Sequence, residues 1–106
     1  MAKIQIQLNR QTGCIMKEPS LYDVIIHNDD HTTMDFVVHI LTTIFGKSYD
    51  DAEALMMQVH NEGQGVAGTY FKDIAETKAE RARREARDMG FPLQLTVEKQ
   101  ITDLPF

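Results

Sequence analysis

The sequence is poor in the features that would tie it to several common classes of protein. Among 106 residues there is a single cysteine, Cys14, so no internal disulfide can form and no thiolate cage can hold a metal. No apolar run approaches the ~20 residues a membrane-spanning helix requires. The opening MAKIQIQLNRQTG has no signal-peptide core with a small-residue cleavage site, so a cytoplasmic protein is expected. Basic excess is also missing. Eleven Lys and Arg face sixteen Asp and Glu, a net charge of −5, which argues against nucleic acid or an anionic membrane as partner and favours a cationic ligand. What remains, 42% hydrophobic and 25% charged, is the make-up of one domain with one core, stabilised by packing.

Residues 1–20 are polar, with isolated Ile4, Ile6, Leu8, Ile15 and Met16, and read as an N-terminal extension whose Ile4-x-Ile6-x-Leu8 alternation allows an extra edge strand. Leu21 to Asn28 is rich in β-branched and aromatic residues and halts at Asn28-Asp29-Asp30, which predicts the first strand. Thr32 three residues before Asp35 resembles a capping box, and Met34, Val37, Val38, Leu41 and Phe45 then recur at helical spacing, so a helix is expected over 33–45. Ser48 with Asp51 repeats the device ahead of Ala52, Leu55, Met56 and Val59, a second helix ending before Asn61-Glu62-Gly63. After a Gly63-Gln64-Gly65 turn, residues 66–71 form a short strand. Ala75, Ala79, Ala82, Ala86 and Met89 mark a third helix with a narrow apolar seam, Gly90 and Pro92 stop it, and Leu93 to Val97 alternates as the last strand. The order is β-α-α-β-α-β: a core over 21–99, with 100–106 a short tail.

Gly63-Gln64-Gly65-Val66-Ala67-Gly68 fits the dinucleotide fingerprint, but that motif works where a strand ends and a helix begins, and here a helix ends and a strand begins. No cofactor is expected. The cations of the third helix, Lys72, Lys78, Arg81, Arg83, Arg84 and Arg87, are interleaved with Asp73, Glu76, Glu80, Glu85 and Asp88, which describes a salt-bridged, solvated face. Residues 18–62 hold nine acids against one base, Lys47. In Asn28-Asp29-Asp30-His31-Thr32 plain turn chemistry competes with a binding role, and His60 falls on the same helix face as Met56. A small metal-dependent hydrolase using Asp29, Asp30 and the histidines His27, His31 and His60 is the alternative reading. Its spacing is not diagnostic, since His27-x-x-x-His31 runs from a strand into a turn. Ser20, Ser48 and Cys14 offer no credible nucleophile, so a catalytic role is not expected. An interaction domain without a ligand pocket is the other alternative.

The run Asn28-Asp29-Asp30-His31-Thr32-Thr33-Met34-Asp35-Phe36-Val37, then Leu55-Met56-Met57-Gln58-Val59-His60, Ala75-Glu76-Thr77-Lys78 and Pro92-Leu93 resembles the ClpS adaptor family in order and spacing. The resemblance covers residues 21–99. It implies an α/β (α+β) sandwich similar to the C-terminal domain of the ribosomal stalk protein, with a three-stranded antiparallel sheet packed on three helices. It implies a monomeric, non-enzymatic adaptor that binds the bulky hydrophobic N-terminal residue (Phe, Leu, Tyr or Trp) of N-degron substrates and delivers them to a ClpA- or ClpC-type unfoldase of the ClpP protease. Carried over by residue, Asn28, Asp29 and His60 would hold the substrate α-amino group, and Thr32, Met34, Val37, Met56, Val59 and Leu93 would line the side-chain pocket. Asp30 would support the loop, and Asp73, Glu76, Thr77 and Lys78 would face the unfoldase. Thr33 stands where many members have Pro, and His31 where an aromatic residue is frequent. In the family an N-terminal extension engages the unfoldase during delivery.

Overall fold

The computed structural model describes residues 20–101. Its elements are β1 (Leu21–His27), α1 (Met34–Thr43), α2 (Tyr49–Glu62), β2 (Gln64–Phe71), α3 (Lys72–Asp88) and β3 (Gln94–Lys99), the β-α-α-β-α-β order expected from the sequence. The suggested edge strand at Ile4 to Leu8, most of the N-terminal extension and nearly all of the short tail lie outside the described residues.

β1 is the middle strand of a sheet ordered β2-β1-β3, antiparallel to both neighbours. Its period-two pattern sends Val24 and Ile26 to one face, where both are fully buried. The cluster they join takes Ile40 and Leu41 from α1, Ala52, Met56 and Val59 from α2, and Ala75, Ala79, Ala82 and Ala86 from α3. All three helices therefore share one face of the sheet, and the alanine seam, with no side chain beyond Cβ, lets α3 lie close against the strands.

Several boundaries differ from the sequence reading for identifiable reasons. The cap of α1 is Thr33, whose hydroxyl accepts from Phe36 N at 3.2 Å, and Thr32 does not cap because its hydroxyl donates to Asp29 Oδ2 at 2.6 Å. The same helix ends at Thr43, two residues early, as Gly46 (φ 67°) turns the chain. Ser48 caps α2 as expected, accepting from Asp51 N at 3.1 Å. That helix runs on through Asn61 and Glu62 to Gly63, which takes the left-handed conformation (φ 95°) that glycine adopts without steric cost. A one-residue reversal suffices, so β2 starts at Gln64 instead of Val66.

Gly65 is buried under α2: a Cβ there would stand 2.9 Å from Leu55 Cδ1 and 3.1 Å from Val59 Cγ2. The pairing of β1 with β2 skips Ala67, a bulge between Val24↔Gly68 and Ile25↔Val66. The glycine-rich run thus serves helix termination and close packing, as its position between helix and strand implied.

Phe71, at the N-cap position, offers α3 no side-chain hydrogen bond. At the other end Met89, predicted as the last member of the alanine seam, is 61% exposed. It lies past the helix, where Gly90 N donates to Arg87 O and Phe91 N to Ala86 O at 3.0 and 2.8 Å, a Schellman turn that carries Phe91 back against Phe36. The outer face of α3 carries Arg81–Glu85, Arg83–Glu80 and Arg87–Glu80 pairs at 3.3–3.6 Å. Arg87, with Arg83 behind it, holds the Glu80 carboxyl below the ordinary glutamate range.

Candidate functional site

The topology gathers four chain segments at one end of the sheet. His27, the last residue of β1, pairs with Gln64 at the start of β2 and with Gln94 at the start of β3. The loop after β1, the N-terminus of α1, the C-terminus of α2 and Leu93 must therefore converge there. One backbone hydrogen bond fastens the junction, from Asn28 N to Gly63 O at 2.9 Å, tying the loop to the end of α2.

Between these segments lies a pocket of about 290 Å³. Asn28, Asp29, Asp30, Thr32, Met34, Val37, Met56, Val59, His60 and Leu93, residues spread over more than sixty positions of sequence, all line it. Thr33 and His27 line it too, although the sequence reading gave Thr33 no part in it and set His27 only among metal-ligand candidates. Thr33 sits between two residues already assigned, and His27 directly precedes Asn28; adjacency in the chain was the available signal. The walls divide by chemistry. Val37, Met56, Val59 and Leu93 are each no more than 9% exposed and form an apolar floor, whereas Met34 at 44% stands at the rim.

The polar edge is ordered by local bonds. Asp29 Oδ2 accepts from the Thr32 hydroxyl at 2.6 Å and from His31 N at 3.1 Å, and Asp29 O accepts from Thr32 N at 3.2 Å. The backbone bond closes the turn, and the two to Oδ2 fix the carboxylate on one side and leave Oδ1 without a hydrogen-bond donor among the described residues. Asn28 Nδ2 donates to Asp30 Oδ1 at 3.4 Å, which turns the Asn28 amide oxygen free to accept. His60 projects from the last turn of α2, exposed. His27 Nε2 is 2.9 Å from Thr96 Oγ1 across the strands. The pocket therefore offers acceptors beside an apolar floor, a combination suited to a group carrying both a cation and a hydrophobic side chain.

The metal-dependent alternative finds no matching cluster among the described residues. Among the described residues no group of three or more His, Cys, Asp and Glu side chains comes together to hold a metal ion, so Asp29, Asp30, His27, His31 and His60 do not form a ligand cluster. The Ser48 hydroxyl is engaged as a helix cap. No described helix is long and apolar enough to cross a membrane.

The other candidate surface, Asp73, Glu76, Thr77 and Lys78, lies on the first turns of α3. That helix begins after Phe71, which pairs with Leu21 at the start of β1. The two regions thus sit at opposite ends of a seven-residue strand, about 20 Å of chain apart. Asp73, Glu76 and Thr77 are exposed, and the Thr77 hydroxyl donates to Asp73 O at 2.8 Å. Lys78 is differently placed: its ammonium donates to Ile44 O at 2.8 Å and lies 5.3 Å from the centre of the Tyr70 ring, which ties α3 to the end of α1.

Fold and site together define a small α/β binding module whose pocket lies at one end of the sheet. Comparison with known proteins gives the class a family. The sequence profile described as ATP-dependent Clp protease adaptor protein ClpS matches residues 17–96. The ClpS adapter protein of Desulforapulum autotrophicum is 49% identical over 82 residues, covering 77% of this chain and 79% of that protein. That of Wolinella succinogenes is 48% identical over 85 residues, 80% of this chain and 83% of the relative. The structure of Agrobacterium tumefaciens ClpS2 bound to L-phenylalaninamide superposes with a TM-score of 0.76 at 40% identity, covering 78% of this chain and all of that one. The chain belongs to the ClpS family of Clp protease adaptors, and it is an adaptor, not an enzyme.

Proposed function

We propose that the pocket at the end of the sheet binds the free N-terminal residue of N-degron substrates, with Phe, Leu, Tyr or Trp as the first side chain. The supporting observation is the pairing of acceptors without a donor among the described residues, Asp29 Oδ1, the Asn28 amide oxygen and the His60 ring, with the floor of Val37, Met56, Val59 and Leu93. An α-ammonium has three donors and no acceptor, so an amide oxygen, a carboxylate and an imidazole satisfy it with charge-assisted bonds. Thr32 and Met34 would complete the wall of the side-chain pocket, and Asp30 would hold the Asn28 amide in orientation. The ligand of the Agrobacterium relative, L-phenylalaninamide, carries a free α-amino group and an aromatic side chain on the same carbon, the two features this pocket is proposed to bind.

The adaptor would act as a cytoplasmic monomer. It would hand bound chains to a ClpA- or ClpC-type unfoldase of the ClpP protease, docking through Asp73, Glu76, Thr77 and Lys78 at the far end of the sheet. Residues 1–18 would serve delivery and not binding, so their removal leaves peptide affinity intact and stops degradation of N-degron substrates.

The test is a titration with a Phe-first or Leu-first peptide and its N-acetylated copy. Charge-assisted bonds at ~1.5–3 kcal/mol each and burial of one large side chain at ~1.5–3 kcal/mol give micromolar affinity for the free peptide. Acetylation removes the charge and two donors, and binding should disappear. Equal binding of both peptides would overturn the reading.

A further inference from the structure

A second concavity, of about 470 Å³, opens between α1 and the C-terminal end of α3. Its floor is apolar: the Phe36 and Phe91 rings meet with centroids 5.1 Å apart, and Met89, 61% exposed, lies beside them. Three carboxylates, Asp35, Glu85 and Asp88, line it as well. Glu85 is already faced by His39 at 3.5 Å and Arg81 at 3.6 Å. Asp35 and Asp88 have no cationic side chain within 4.0 Å among the described residues. Thr33 lines both this cleft and the pocket at the sheet end, so the two hollows adjoin across the first turn of α1.

We propose that this cleft is a second substrate subsite, which takes residues a few positions beyond the first and prefers a Lys or Arg next to an aliphatic or aromatic residue. The proposal rests on the pocket being the N-terminal-residue site. A polypeptide held there by its first residue and leaving over Thr33 reaches the cleft within a few residues, because extended chain advances ~3.3–3.6 Å per residue. The long stem of Arg or Lys packs along the Phe36 and Phe91 rings, and its charged head meets Asp35 or Asp88. An aliphatic neighbour covers Met89. Because the segment is tethered through the occupied pocket, weak contacts add to affinity without the cost of a second association.

The probes are a short Phe-first dipeptide amide, which fills only the pocket, and peptides of about ten residues with the same start. These carry an Arg-Leu pair moved through positions three to six, or a Glu-Ser pair in the same places as control. In the best register the Arg-Leu peptide should bind about five- to tenfold tighter than the dipeptide and the Glu-Ser control. The double substitution Asp35→Asn with Asp88→Asn, and separately Met89→Ser, should cut that gain to less than about twofold while dipeptide affinity stays unchanged. No register exceeding its control, or a gain that survives both variants, would overturn the subsite alone. A dipeptide that fails to bind would overturn the pocket reading and the subsite with it.

Discussion

Replacing Asp29 by Asn separates the charge of the carboxylate from its structural work. In the folded protein Asp29 Oδ2 accepts from the Thr32 hydroxyl and from His31 N, and an asparagine side-chain oxygen can accept both bonds in the same place. The turn survives, and only Oδ1, the oxygen without a donor, changes, from half a carboxylate to an amide NH₂. In the proposed complex that exchange removes a charge-assisted hydrogen bond and sets a donor against the ammonium. A loss of ~1.5–3 kcal/mol is expected, which is on the order of 10- to 100-fold in Kd. Asp29→Ala loses both turn bonds in addition, so it should bind no better than Asp29→Asn and should melt at lower temperature. Fluorescence anisotropy with a labelled Phe-first peptide reads the affinity, and circular dichroism with a thermal melt reads the fold. An Asp29→Asn protein that is folded and binds as the parent does would refute the role of Oδ1, and with it the ammonium assignment.

Met34, 44% exposed at the rim, bounds the pocket mouth, and Val or Ile cannot rotate its second Cβ branch away from such a neighbour. Met34→Ala should therefore raise affinity for Ile-first peptides relative to Leu-first ones, by the ~1–3 kcal/mol typical of relieved overpacking; an unchanged ratio in a competition titration contradicts this role for Met34. Gly65→Val should cost ~1–3 kcal/mol in a denaturant melt, because its side chain would collide with Leu55 and Val59; a variant as stable as the parent would show that α2 shifts freely. Lys78→Met should lose ~1–3 kcal/mol of stability by leaving Ile44 O without its ammonium donor. The proposed docking is therefore better tested at Glu76 and Thr77, whose substitution leaves that bond intact, and a Lys78→Met protein of parental stability would refute the structural role of Lys78.

Local rules carried the fold far. Ser48 and Asp51 mark the start of α2 because their bond is local, and the alanines of α3 mark its buried face because spacing alone sets it. The errors lie where tertiary or cross-loop contacts choose between local options. Thr32 and Thr33 are both competent caps, and the choice follows from Asp29 claiming the Thr32 hydroxyl. Met89 continues the spacing of the seam, but the Schellman turn takes it off the helix and substitutes Phe91. Pocket and core were indistinguishable by pattern: Val37, Met56, Val59 and Leu93 are as buried as core residues, and their periodicity is that of packing. Family resemblance separated them. The second cleft was illegible, since Phe36, Met89 and Phe91 meet only after α3 has turned back on α1.

The bond from Asn28 N to Gly63 O also has a kinetic side. It closes the loop onto α2 through the chain's own backbone, and the Asp29 turn orients the acceptors by its own hydrogen bonds, so little chain needs to be ordered on binding. Encounter rates should then be nearly the same for all N-terminal residues that fit, and discrimination among Phe, Leu, Tyr and Trp should appear in residence time. In the proposed delivery role, a substrate with a short residence would leave before it could be handed on, and a long one would wait for its partner. Selection among competing chains would thus be made by dissociation, at a pocket whose shape is already set.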